Sequence, residues 1–147
     1  MNLTGDAPAS QRSQGTCCGS DPKVGLSSWL DAGGVGIDTA NDYNDQNVIG
    51  DILNPYIAKR GLKRSDFFIT TKVPAGFGGA AACKAVRQWI AMISRCRRSL
   101  DAMCASQDPS VSLNTLKQNL QQLRTDYVDL VLLHKPCPTA EQNNALW

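Results

Sequence analysis

Three short apolar runs constrain this chain more than anything else in it: residues 35–39, 67–73 and 127–133. Each is rich in β-branched or bulky apolar residues and runs into a polar loop, as a buried strand does. Helix-spaced segments lie between them. Residues 24–32 put Leu26, Trp29 and Leu30 on one face before Gly33-Gly34 stops the pattern. Gln46–Arg60 repeats Val48, Ile49, Ile52, Leu53, Tyr56 and Ile57 at helical spacing, with Gly61 placed as a C-cap. Pro55 inside that segment predicts a kink or a break. Residues 111–123 carry a stripe of Leu113, Leu116, Leu120 and Leu123. Strands alternating with helices predict a parallel sheet of at most four βα units. The fourth helix is only begun over residues 139–147.

A parallel sheet brings the carboxyl ends of its strands to one face. Four reactive residues stand at or just past those ends: Asp38, Tyr43, Lys72 and His134. An acid, a phenol, an amine and an imidazole that converge can move a proton to or from a carbonyl oxygen. Taken singly, each has a plainer reading. Tyr43 reads as a half-buried loop tyrosine, Asp38 as a turn cap, and His134 as a satisfied core histidine. His134 is the one histidine of the chain and has no cysteine beside it, which argues against a metal site. Gly33-Gly34-Val35-Gly36 precedes a strand, whereas a dinucleotide fingerprint lies between strand and helix, so no such fingerprint is read here.

Composition closes off other classes. At 147 residues the chain can bury one core, and 42% hydrophobic with 19% charged residues is ordinary for a globular domain. A net charge of +2 gives no argument for nucleic acid, and no apolar run approaches the roughly 20 residues of a membrane span. The start of the chain has neither a basic end nor an apolar stretch, so it is not read as a secretory signal, and residues 1–14 are expected to form a disordered tail. Six cysteines without a C-x-x-C pair or metal spacing are expected to be reduced thiols of a cytoplasmic protein.

The motifs around the four residues are specific. D-T-A-x-x-Y-x-D-Q-x-x-I-G (38–50), I-T-T-K-V (69–73) and D-Y-V-D-L-x-L-L-H-x-P (126–136) follow one another in this order. Together they resemble the aldo-keto reductases, over residues 15–147 apart from one segment. The resemblance implies an α/β fold, a partial (βα)8 TIM barrel of about the first four βα units. A complete barrel typically needs about 250 residues.

It also implies an NAD(P)H-dependent oxidoreductase that reduces aldehydes or ketones to alcohols, with NADPH as cofactor and NADH possible. Tyr43 would donate the proton. Free phenol, with a pKa near 10, is a poor acid at neutral pH, and a neighbouring ammonium, here Lys72, favours its ionised form. Asp38 would hold Lys72, and His134 would orient the substrate carbonyl. Gly15, Thr16 and Asp38 would lie beside the cofactor. The implied partner is a small-molecule carbonyl compound, without nucleic acid or membrane. Two exposed sheet edges suggest a homodimer. The competing reading is a non-catalytic fragment or interaction protein that keeps the motifs without binding a cofactor.

The segment that departs from the resemblance is 84–104, with five basic residues and one acidic. Val86, Trp89, Ile93, Cys96, Leu100 and Met103 recur at roughly the spacing of an amphipathic helix. It reads as an inserted helix on the barrel exterior, as sequence foreign to the fold such as translated intron, or as a basic face for an acidic partner or a membrane surface. Gly76-Phe77-Gly78-Gly79, just after Lys72, either lines the substrate side or is a plain connection.

Overall fold

A computed structural model describes residues 13–17, 20–73 and 108–147. Both the 84–104 segment and the 76–79 loop lie outside the described residues. In chain order the elements are β1 (Ser13–Gly15), α1 (Pro22–Asp31), β2 (Gly36–Asp38), α2 (Gln46–Arg60), β3 (Phe68–Val73), α3 (Pro109–Leu123), β4 (Leu130–Leu133) and α4 (Ala140–Ala145). Single 3₁₀ turns at Asn41–Tyr43 and Arg64–Asp66 complete them. The four strands form one parallel sheet in the order β1-β2-β3-β4. Ser13 and Gln14, expected in a disordered tail, pair with Gly36 and Ile37 in the sheet, and residues 1–12 lie outside the described residues.

Local chemistry sets the helix ends. Asp21 caps α1 by accepting from the Lys23 amide at 2.9 Å, with Pro22 in the first turn where no amide donor is needed. Asp108 and Pro109 repeat this device on α3, where Ser110 holds the Asp108 carboxyl below the ordinary carboxylate range by its side chain and its amide. α2 ends at Gly61, whose φ of 65° lets its amide reach back to Ala58 and Ile57. Of the kink or break expected at Pro55, the break does not occur: α2 is one helix through it. The helix is held on both flanks: Tyr56 donates to Leu30 O at 2.9 Å, and Asn54 donates to Leu123 O at 3.2 Å. Packing of this kind offsets one lost helical hydrogen bond.

Alternation along the strands divides the sheet into two faces. Ile37 and Ile69 face the helices and pack with Leu26, Leu30, Ile49, Leu53, Phe67 and Leu123 into the core. The opposite face carries Phe68, Leu130 and Leu132, which remain 48%, 41% and 39% exposed. In a closed barrel this face would be the interior.

On α3 the leucine stripe read from sequence is rotated. Ser112, Asn119 and Leu123 are its buried residues, while Leu113 is 52% exposed. Leu113 and Leu116 instead line an apolar cavity of about 380 Å³ with Val73, Val131, Leu146 and Trp147.

At the amino ends of the strands, Arg64 ties β3 to β4. Its guanidinium donates to Asp129 (2.9 Å), Phe67 O (2.7 Å), Tyr127 O (3.2 Å) and Thr125 Oγ1 (3.1 Å). Asp129 also accepts from the Ile69 amide at 2.8 Å. Such a stitch at the amino end serves stability and leaves the carboxyl ends to the chemistry.

Helices α2 and α3 come close together at Gly50. A Cβ there would meet Gln122 O at 2.8 Å and Leu123 O at 2.9 Å, both backbone atoms that cannot swing away. Gly50→Ala is therefore expected to destabilise the fold by roughly 1–3 kcal/mol despite alanine's better helix propensity. Urea unfolding of the two proteins measures the difference.

Candidate active site

The register of the sheet builds the site. Gly15 pairs with Asp38, and Asp38 with Thr70. Lys72 lies two residues beyond Thr70, on the same face, and pairs with Leu132. His134 lies two residues beyond Leu132, and its amide extends the ladder to Val73 O at 2.9 Å. Each step along the sheet thus places a side chain further up on one face, the stagger that a barrel requires. The 3₁₀ turn Asn41–Tyr43 follows β2 and folds Tyr43 back over the same end.

The Lys72 ammonium is the centre of this arrangement. It donates to Asp38 Oδ1 at 2.5 Å, to Thr39 O at 3.0 Å and to Tyr43 Oη at 3.3 Å. An ammonium has three N–H donors, and all three are used. Tyr43 Oη therefore accepts from Lys72 and keeps its own proton for another acceptor. The Lys72 side chain is only 13% exposed, so water screens it little, whereas Asp38 is 36% exposed. Charge that develops on the phenolic oxygen as its proton leaves meets a fixed cation, an interaction worth a few kcal/mol at this distance.

His134 completes the cluster. Its ring stands edge-on to Tyr43 with centroids 5.3 Å apart, and its Nδ1 contacts Asp42 Oδ2 at 3.1 Å. Gly15 ends β1 beside Asp38. Thr16 follows it, buried, with its amide and hydroxyl both donating to Asp38 O at 3.1 and 3.3 Å. All the residues singled out in the sequence, Gly15, Thr16, Asp38, Tyr43, Lys72 and His134, thus meet at one end of the sheet.

Behind the cluster lies a buried polar network that the sequence reading missed. Thr71 Oγ1 donates to Gln46 Oε1 at 2.7 Å, and Gln46 Nε2 donates to Asn119 Oδ1 at 2.8 Å. Asn119 Oδ1 also accepts from Asn41 Nδ2 at 2.9 Å, while Asn119 Nδ2 donates to Thr71 Oγ1 at 3.1 Å and Lys72 O at 3.3 Å. Gln46, Thr71 and Asn119 are fully buried. The network joins the backbone of Lys72 to the turn that carries Tyr43. Its one sequence signal is Asn119 at helical spacing between Leu116 and Leu123.

The cysteines depart from expectation. Cys17 and Cys137 are disulfide-bonded, so these two are not the reduced thiols read from the sequence, and they give no argument for a reducing compartment. Among the described residues no helix is long and apolar enough to cross a membrane.

Comparison with known proteins agrees with the geometry. The family model described as the aldo/keto reductase family matches residues 23–146. This chain belongs to the aldo/keto reductase family. It is 34% identical over 112 residues to the methylglyoxal reductase DkgB of Escherichia coli O157:H7, covering 76% of this chain and 30% of that protein. It is 30% identical over 107 residues to the aldo-keto reductase family 1 member C21 of Mus musculus, covering 73% and 24%.

Among solved structures it is similar to the aldose reductase of Schistosoma japonicum, with a TM-score of 0.60, 23% identity and coverage of 86% of this chain and 33% of that one. The silkworm aldo-keto reductase AKR2E5 complexed with NADPH gives a TM-score of 0.55 at 24% identity, covering 84% and 32%. The chain thus spans about a quarter to a third of the length of the relatives it matches. Its four parallel βα units correspond to the first part of an aldo-keto reductase TIM barrel.

Proposed function

We propose that this chain carries the acid–base centre for reduction of a small aldehyde or ketone to an alcohol, with NADPH as the hydride source and NADH as the second choice. The observation that carries the reading is the three-way use of the Lys72 ammonium. That arrangement leaves Tyr43 with a proton to give and a cation to stabilise what remains. Tyr43 is assigned as the proton donor, Lys72 as its electrostatic partner, and Asp38 as the group that holds Lys72. His134 is assigned to the substrate carbonyl.

The residues at the end of β1 and β2 fit a nicotinamide cofactor. Asp38 uses Oδ1 for Lys72, and among the described residues Oδ2 is left to accept from a hydroxyl such as those of a ribose. Gly15 offers open space where a side chain would stand. Gly15, Thr16 and Asp38 would hold the cofactor on this side, and the bound cofactor would supply the hydride. The residues of the chain then orient the carbonyl and deliver the proton to its oxygen.

Cofactor binding tests the reading. Titration of the folded chain with NADPH, followed by the cofactor's fluorescence, is expected to saturate, and Asp38→Ala is expected to weaken the binding. A folded chain that binds no NADPH would favour the competing reading, a protein that keeps the reductase motifs without the reaction.

A further inference from the structure

Asp42 stands outside the four residues to which the reaction has been assigned, yet its carboxylate contacts the His134 ring. Its side chain is 17% exposed, and its Oδ2 lies 3.1 Å from His134 Nδ1. That is its one side-chain hydrogen bond among the described residues. Its other oxygen, Oδ1, is buried without a partner among them. A carboxylate held in this way costs stability, because half of its acceptor capacity goes unused out of water. An apolar side chain would serve the fold better at this position. The compensation lies in the imidazole it touches.

We propose that Asp42 is a positioning residue that fixes His134 as the Nδ1–H form, so that Nε2 is the ring nitrogen offered to the substrate. A carboxylate accepts and does not donate, so the 3.1 Å contact requires the proton on Nδ1. The neutral ring then presents a bare Nε2, an acceptor for the hydroxyl of an alcohol. The protonated ring presents Nε2–H, a donor to a carbonyl oxygen, with the Asp42 carboxylate facing the positive charge. One residue therefore matches His134 to both ends of a carbonyl–alcohol pair.

Asp42 and Tyr43 share the Asn41–Tyr43 turn, which Asn41 anchors to Asn119 at 2.9 Å. The same rigid turn thus sets the proton donor and the orientation of the imidazole. The identity of the substrate groups rests on the function proposed above, whereas the state of the ring rests on the geometry alone.

His134 is the one histidine of the chain, so its ring nitrogens give a single set of nitrogen-15 signals. The measurement is a long-range nitrogen–proton correlation spectrum of the full chain, without cofactor. It is taken at a pH well above the usual histidine value of about 6.5. The wild type is expected to show a protonated Nδ1 and a bare Nε2. Asp42→Ala, with its backbone amide spectrum retained, is expected to move the proton largely to Nε2. Should the alanine variant not fold, Asp42→Leu fills the same volume without an acceptor and carries the same expectation.

A wild-type ring protonated on Nε2 would overturn the proposal without any variant. An Nδ1–H ring that persists in the variant would overturn it too. Neither result depends on NADPH binding or turnover, so a failure here and a failure of the proposed reaction are separate findings.

Discussion

Tyr43→Phe is expected to lower NADPH-dependent carbonyl reduction by about 10²- to 10⁴-fold, chiefly in kcat, because it removes a positioned general acid. The substitution keeps the ring, and with it the edge-on packing against His134. It deletes the acceptor of one Lys72 N–H, while the bonds of Lys72 to Asp38 and Thr39 O persist. Stability should therefore change by only about 1 kcal/mol, and the affinity for NADPH should stay near that of the wild type. Kinetics at saturating NADPH, with unfolding measured in parallel, separates loss of the acid from loss of the fold. A variant that reduces substrate as fast as the wild type would remove Tyr43 from the reaction.

Asn119→Ala is expected to have the largest effect on stability, a loss of roughly 3–5 kcal/mol. Asn119 is fully buried and makes four hydrogen bonds. Truncation takes the acceptor from Asn41 Nδ2 and one acceptor from Gln46 Nε2, and it leaves Lys72 O without this donor. Each buried group deprived of its partner costs about 1–3 kcal/mol, to which the cavity adds. Gln46 retains Gln122 as a second acceptor at 3.0 Å, which limits the loss. The damage should spread to the site, since Asn119 connects Lys72 to the turn bearing Tyr43. Chemical unfolding measures the first effect, and the amide signals of residues 41–43 and 72 report the second. A loss below about 1 kcal/mol would show that the network contributes little.

The fold and the four-residue centre were legible because they depend on periodicity. Strand alternation and register carry Asp38, Lys72 and His134 to one face, and a stretch of helical spacing defines α2 over Gln46–Arg60. Reading failed where burial and polarity part company. Gln46, Thr71 and Asn119 look like surface residues in one dimension, yet each finds its buried partners in residues distant along the chain. Asp42 was passed over for the same reason: nothing local to it points to an imidazole 92 residues away.

Leu113 erred in the opposite direction. Its spacing fits a core stripe, but Ser112, Asn119 and Leu123 are the buried residues of α3, and Leu113 is exposed. Pro55 suggests a kink or a break from local propensity alone, and the helix continues through it with Tyr56 and Asn54 bonded to its neighbours on either side. The disulfides at Cys17 and Cys137 were not legible, because spacing alone does not decide pairing.

The measurement that bears most directly on the central claim is turnover by the purified chain and its Tyr43→Phe variant. Both are supplied with NADPH and methylglyoxal, the substrate class named for the Escherichia coli relative. NADPH consumption is followed by absorbance and alcohol formation by mass. The wild type is expected to form one alcohol per NADPH consumed, with the rate falling at least about 100-fold in the variant. A folded wild type that binds NADPH and consumes none with this or other small carbonyl compounds would contradict the proposed reaction.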